Sequence, residues 1–203
     1  MKYKLRKKSL ITHKNTLEKL ISLKKFPVFI GCTDQKKEED IFANMEFDIC
    51  KKSGFIQLKK LLPIDLVYSG YHSEALGEIW KTHHEKFAEF ISKFKPINIL
   101  EVGGSNAVLA EQVKATNPKI NWSIIEPNPT HKSTKEITVI KGYFNKSFSF
   151  DKPIDTIVHS HVLEYLYNPV EMIKHMHSFL EIGWAKFIFS APIFFRNIFF
   201  ILV

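Results

Sequence analysis

Five short apolar runs recur through the second part of the chain: INILEV (97–102), NWSIIE (121–126), ITVIKG (137–142), IDTIVHS (154–160) and KFIFS (186–190). Each is short and apolar along its length, which predicts a strand buried on both faces. Turn and stop residues separate them. GGSN follows the first run, Pro118 precedes the second, and Pro127 and Pro129 end it. AVLAEQVKA (107–115) and VEMIKHMHSFL (170–180) read as helices, the second opening after Pro169, a residue favoured in a first helical turn. Upstream, EALGEIWKTHHEKFAEFISKF (74–94) sets Leu76, Ile79, Trp80, Phe87, Phe90, Ile91 and Phe94 near one helical face, and Pro96 ends it. Strands alternating with helices predict an α/β fold with a Rossmann-like, doubly wound, mainly parallel sheet. Right-handed crossovers then bring every strand's carboxyl end to one edge, where ligands bind.

The first 72 residues differ. Short apolar pieces such as FPVFIG and GFIQL are broken by charge runs such as KKEED, which predicts a small irregular module at 1–72 ahead of the main domain at 73–203. The chain has 203 residues and a formal charge of +8, with lysines scattered among apolar residues. Such scatter reads as a solvated surface, with attraction of an anionic substrate as the functional alternative. Two cysteines, Cys32 and Cys50, are too few for a disulfide framework. The basic N-terminus lacks the apolar run of a signal peptide, and no stretch reaches the roughly 18 apolar residues of a membrane span. A cytoplasmic protein is expected.

Chemistry is concentrated in three places. In ILEVGGSNAVLA (99–110), Gly103 and Gly104 leave the backbone open to a ligand, and the helix behind them offers free N–H groups. A simple tight turn would look the same. Glu126 ends the second strand about 20 residues later, where a carboxylate accepts hydrogen bonds from a ribose diol. A surface acid at a strand end is the plain alternative. Both residues fall on the same sheet edge. The nicotinamide fingerprint wants three glycines. This turn opens instead with Glu101 and has no third glycine.

Glu-x-Gly-Gly, Glu126 and DTIVHSHVLEYLYNP (155–169), taken in order, resemble the core of class I S-adenosylmethionine-dependent methyltransferases, over residues 74–192. The resemblance implies S-adenosylmethionine as cofactor, with Glu101 supporting its amino-acid end and Glu126 its ribose. It adds Asn106 in the turn, His159 and Ser160 beside the methionine portion, and Tyr143 and Phe144 near the adenine. It also gives Tyr68 and Tyr71, from VYSGYHSEALG (67–77), as covers of the pocket. The aromatic residues serve equally as packing. His161 is the candidate catalytic base, with a cap or core histidine as the alternative. Ala107 departs from the family pattern, which often has glycine there, so weakened or slightly altered binding is expected rather than loss.

The N-terminal module resembles the zinc-binding module of nucleotide-sugar C-methyltransferases, which has two C-x-x-C pairs. In CKKSGFIQL (50–58), Ser53 stands where the second cysteine would be, and Ser9 and Thr12 fall roughly where the first pair would be. Cys50, Cys32, His13 and His72 have no ligand spacing, so no metal is expected. His83 and His84 are adjacent on a helix and point about 100° apart, which suits a surface or interface better than chelation. The expected acceptor is a small molecule, with a nucleotide-linked or surface-polysaccharide sugar favoured by the resemblance. A nucleic-acid acceptor has only the charge in its favour and lacks an N-P-P-Y after the fourth strand. The resembled family carries further strands after the fifth. The apolar tail after SAP (190–192) therefore suggests a truncated chain, which leaves a cofactor-binding but inactive fragment as the alternative, with an exposed sheet edge open to self-association.

Overall fold

The computed structural model describes residues 3–28, 36–67, 77–180 and 185–191. The chain divides into two units, Met1–Ala75 and Leu76–Val203. The boundary expected at 72/73 lies outside the described residues, as does the tail beyond Ala191.

The first unit is more regular than its sequence suggested. Strands β1 (Lys4–Leu5), β2 (Leu17–Pro27), β3 (Phe42–Cys50), β4 (Ile56–Leu58) and β5 (Lys60–Leu61) precede a single helical turn, α1 (Ile64–Val67). β2, β3 and β4 form an antiparallel sheet in that order, and β1 pairs with β5. Two register shifts interrupt β2 against β3, between Lys19 and Ile21 and between Leu23 and Phe26. They break the period-2 alternation by which a strand is legible in sequence.

In the second unit, α2 (Glu78–Ser92) precedes β6 (Asn98–Val102), α3 (Val108–Thr116), β7 (Asn121–Glu126), β8 (Ile137–Lys141), β9 (Thr156–Ser160), α4 (Pro169–Ser178) and β10 (Lys186–Ser190). All five strands pair in parallel, in the order β10-β9-β6-β7-β8. This is the expected doubly wound sheet, with the chain reversing direction across the sheet at β6. Among the described residues β8 and β10 are its edges.

Side chains alternate between two apolar layers. Ile99, Trp122, Ile124 and Val158 pack against Phe87 and Ile91 of α2 and Leu109 and Val113 of α3. Leu100, Val102, Ile125 and Ile157 pack against Met176 of α4 and Phe144. Each large apolar side chain buried this way contributes about 1.5–3 kcal/mol. The buried stripe of α2 is narrower than its sequence implied. Phe87, Ala88 and Ile91 are buried, whereas Ile79 is 86% exposed and Phe90 and Phe94 are also exposed. Asn168 caps α4, its side chain accepting from the Glu171 N–H, with Pro169 opening the helix as expected. Among the described residues no helix is long and apolar enough to cross a membrane.

Candidate functional site

The turn after β6 lies at the reversal point of the sheet, where doubly wound folds hold their ligands. Gly103 has φ +80, a conformation that favours glycine, and its N–H donates to Ile125 O at 2.9 Å. A Cβ on Gly103 would meet Val162 Cγ2 at 2.6 Å; one on Gly104 would meet Ile124 Cγ2 at 2.7 Å and Glu101 Cδ at 2.8 Å. Both glycines therefore make room for the protein's own side chains. The Val162 contact also shows that the loop leaving β9 lies against the turn leaving β6, so the two loops share the sheet edge where a ligand crevice is expected. Ala107, at the start of α3, takes φ 63 and is fully buried. A glycine would hold this left-handed position without strain. No side chain caps the N-terminus of α3.

Glu126 closes over this turn. Its Oε2 accepts from the Ser105 N–H at 3.4 Å and its Oε1 from the Asn128 N–H at 2.9 Å. Gly103 and Glu126, read separately in the sequence, thus share one rim, and Asn106 lies half-buried in the same turn. Gly142 N–H donates to Glu126 O at 3.0 Å, which brings Tyr143, 44% exposed, beside that rim.

Several expected site residues lie elsewhere or face elsewhere. Glu101 is only 3% exposed and alternates inward with Ile99; its Oε2 accepts from Trp122 Nε1–H at 2.8 Å beneath Gly104. Burial pushes its carboxyl up to about 7 against the Trp122 hydrogen bond, with the nearby Glu126 charge adding to the rise. Glu101 thus supports the turn from below and does not face the crevice. Phe144 packs against Phe148, His175 and Phe179, so it belongs to the core. His159 is fully buried between Phe187 and Phe189, and neither ring nitrogen has a partner among the described residues. Burial, with a contribution from His161, pushes its imidazole down to about 3, so it is neutral and covered. Tyr68 and Tyr71 lie outside the described residues.

The other flank of the crevice is rich in imidazole. His161, with φ 55, follows β9 directly, and its N–H donates to Ser190 O at 3.0 Å. Its Nδ1 lies 3.3 Å from Glu164 Oε1. His83 of α2 is half-buried and reaches Ser160 Oγ at 3.0 Å and Ser190 Oγ at 3.3 Å, the two serines being 2.9 Å apart. The Trp80 ring stands edge-on to His161 at 5.1 Å and to His83 at 5.6 Å. Burial, then the neighbouring imidazoles, holds His83 and His84 below the ordinary histidine range. His83 is thus part of this cluster, where the sequence suggested a surface or interface residue. Its spacing from Trp80, i to i+3, was the available signal: the two share a helix face.

In the first unit, the four positions compared with cysteines converge. Cys50 is fully buried, with Thr16 Oγ1 at 3.0 Å and Thr12 Oγ1 at 3.9 Å from its sulfur. Hydrogen bonds from Ser53, Ser9 and Thr16 hold its thiol down, to about 5. Ser9 Oγ accepts from the Ile11 and Thr12 N–H groups, and Gln57 clamps the same turn through Lys8 O and the Leu10 N–H. His13 and Gly54, each following its turn, both take positive φ, 56 and 71. No group of three metal-ligating side chains occurs among the described residues.

Two concavities, of about 490 and 510 Å³, lie elsewhere. One is lined by Phe148–Ile154 with Phe179, the other by residues including Glu111, Lys114 and His131. Neither includes Gly103, Glu126 or His161. The strand-end rule and the convergent polar groups locate the candidate site, since enclosed volume does not.

No family model matches the chain, and no curated protein matches it. Solved structures give likenesses at low identity. The plantazolicin methyltransferase BpumL, in complex with a triazolic desmethylPZN analog and SAH, is 18% identical with a TM-score of 0.44, over 49% of this chain and 43% of that one. CalS10, an amino pentose methyltransferase from Micromonospora echinaspora bound to SAM, is 13% identical with a TM-score of 0.45, over 64% and 62%. PigF with SAH is 15% identical with a TM-score of 0.40, over 50% and 38%. The chain thus spans under half the length of BpumL. The sheet order and the site described above stand on the chain's own strand pairing and contacts.

Proposed function

We propose that the second unit binds S-adenosylmethionine at the carboxyl edge of its sheet and transfers the methyl group to a small-molecule acceptor. By the sequence resemblance, that acceptor is a nucleotide-linked or surface-polysaccharide sugar. The observation that carries the reading is the closure of Glu126 over the Gly103–Ser105 turn at the sheet's reversal point. A carboxylate beside an uncapped helix N-terminus suits a nucleoside: its oxygens accept from the ribose diol while the turn stays open to the rest of the molecule. Asn106 and Tyr143 border the same rim. Glu101 acts through the turn, holding Gly104 in place from below.

When bound, the sulfonium supplies an electrophilic methyl group. The protein's part is then mainly to align the acceptor with it. His161, first residue after β9 and beside the crevice, is the group placed to take a proton from the acceptor. The first unit fits the same reading as a metal-binding module in which hydroxyls at Ser9, Thr12 and Ser53 have replaced sulfur around Cys50. Self-association through β10, one edge of the described sheet, would also be consistent.

Calorimetry of the full chain with S-adenosylmethionine tests the proposal. Saturable binding is expected, and Glu126→Ala should weaken it about 10- to 100-fold, the worth of hydrogen bonds to a charged acceptor. Absence of binding, or equal affinity in Glu126→Ala, overturns the reading. Binding without methyl release to any acceptor would mark a cofactor-binding but inactive chain.

A further inference from the structure

The imidazole-rich flank of the crevice is a second cluster, distinct in chemistry from the glycine turn. Its parts come from three separate stretches of chain: Trp80 and His83 from α2, Ser160 and His161 from the end of β9, and Ser190 from the end of β10. The His83 imidazole meets both serine hydroxyls, so it ties α2 to the two strand ends and keeps Trp80 beside His161. His161 is oriented by a carboxylate: with Nδ1 against Glu164 Oε1, its other nitrogen, Nε2, is left for a ligand. Val162, the next residue, touches the glycine turn, so this base stands one residue from that turn's neighbour.

We infer that Trp80, His161 and Glu164 form the acceptor subsite, and that it takes a hydroxyl carried on an uncharged ring. This rests on the methyl-transfer reading above and, of its two sugar classes, selects the uncharged polysaccharide sugar over the nucleotide-linked one. Three features select that class. Trp80 and His161 offer aromatic surface on which a sugar or phenol ring can lie. The Glu164 carboxylate lies beside His161, and it disfavours a phosphate or carboxylate placed next to it. The hydroxyls of Ser160 and Ser190 are already engaged by His83 and by each other, so among the described residues neither is left to donate to the enolate that carbon methylation would form. Oxygen methylation needs only a base. The acceptor oxygen forms its bond to the methyl carbon as the methyl–sulfur bond breaks. The bonding pair stays on sulfur, giving a neutral thioether, and the hydroxyl proton passes to His161 Nε2. The resulting imidazolium is paired with Glu164.

The test uses the full chain saturated with S-adenosylmethionine and three probes: catechol, methyl β-D-glucopyranoside and glucose 1-phosphate. An O-methyl product is expected from at least one neutral probe, and turnover of glucose 1-phosphate at least about tenfold slower. Trp80→Leu should raise KM for the neutral probe about fivefold or more, weaken its calorimetric binding to the same degree and leave kcat nearly unchanged. His161→Gln should lower kcat about 100-fold or more, the usual worth of a general base, a loss far larger than any change in KM for the probe. Equal methylation of neutral and phosphorylated probes, a carbon-methylated product, no product from either neutral probe, or an unchanged kcat in His161→Gln overturns the inference. If S-adenosylmethionine itself fails to bind, the earlier reading falls and this one with it. If it binds and the probes behave otherwise than stated, only this one falls.

Discussion

The first unit gathers Ser9, Thr12, Thr16, Ser53 and Cys50 around one buried sulfur, and these groups satisfy one another. The second unit gathers Glu126, His161, His83, Ser160 and Ser190 at a sheet edge, where His161 keeps one ring nitrogen beyond its Glu164 contact. Both clusters join residues far apart in sequence, yet their physical roles differ. A cluster of hydroxyls around a buried thiol holds two turns together. A cluster at the carboxyl ends of parallel strands can bind, because the crossovers leave that edge open. Convergence of polar side chains is therefore not in itself a sign of a ligand site. What distinguishes the two is whether the groups have already used their hydrogen-bonding capacity on one another.

The largest expected effect breaks this contrast by reopening the first cluster to a ligand. If its two turns keep the geometry of a four-sulfur site, the variant Ser9→Cys, Thr12→Cys, Ser53→Cys, together with the native Cys50, should bind one zinc ion per chain. Structural zinc adds about 10 kcal/mol or more of apparent binding energy in small modules. The first unit should then resist urea far better with zinc than with chelator. Metal analysis after gel filtration gives the stoichiometry. No bound zinc in a folded triple variant would show that the turns converge for another reason.

Glycines sharpen the comparison at intermediate scale. Gly104 stands where a Cβ would collide with Ile124 and Glu101, and Gly54 stands in open space at φ +71. The first is limited by packing, the second by backbone conformation alone. Gly104→Ala should cost about 3 kcal/mol, the upper range for overpacking, and should abolish S-adenosylmethionine binding with it. Gly54→Ala should cost about 1 kcal/mol, the penalty of a left-handed alanine, and leave that binding intact. Urea midpoints and calorimetry on both variants check the ranking, and a reversed order would sink the packing argument.

The second unit was the more legible in sequence because its information is local. Strands at Asn121–Glu126 and Lys186–Ser190 fall where their apolar runs end, bounded by prolines and turns. Gly103 and Glu126 meet because sheet topology fixes both at the same edge once the βαβ pattern is known. The imidazole flank was not legible, since His83 and Ser160 are joined only by the rotation of α2 against strands far along the chain. Phe144, for which packing was an equal alternative, and His159 are both buried for a simpler reason. They were placed by resemblance to a motif, whereas strand alternation sets His159 on the covered face with Ile157, and an aromatic side chain after β8 had a larger apolar layer to fill. In the first unit the bulges in β2 destroyed the alternation that would have announced a sheet.

Glu101 offers the smallest effect, and one confined to the second unit. Its carboxyl is buried against Trp122 and sits at about 7 in the folded chain, above its ordinary value of 4.5. The folded state therefore binds this proton more tightly than the unfolded one. The stability it contributes is complete below about pH 4.5 and is lost as pH rises through about 7. Over that window the loss amounts to roughly 2 kcal/mol, since each tenfold gain in proton affinity is worth about 1.4 kcal/mol and relaxation around the charge recovers a part. Glu101→Gln keeps an oxygen to accept from Trp122 and cannot ionise. Its stability should match the parent near pH 4.5 and exceed it by roughly 2 kcal/mol at pH 8, read from urea unfolding followed by tryptophan fluorescence. Parallel pH profiles for the two proteins would mean that the carboxylate reaches water in solution. Glu101 would then be free to face the crevice, and the division between the group that supports the turn and the group that binds, Glu126, would no longer hold.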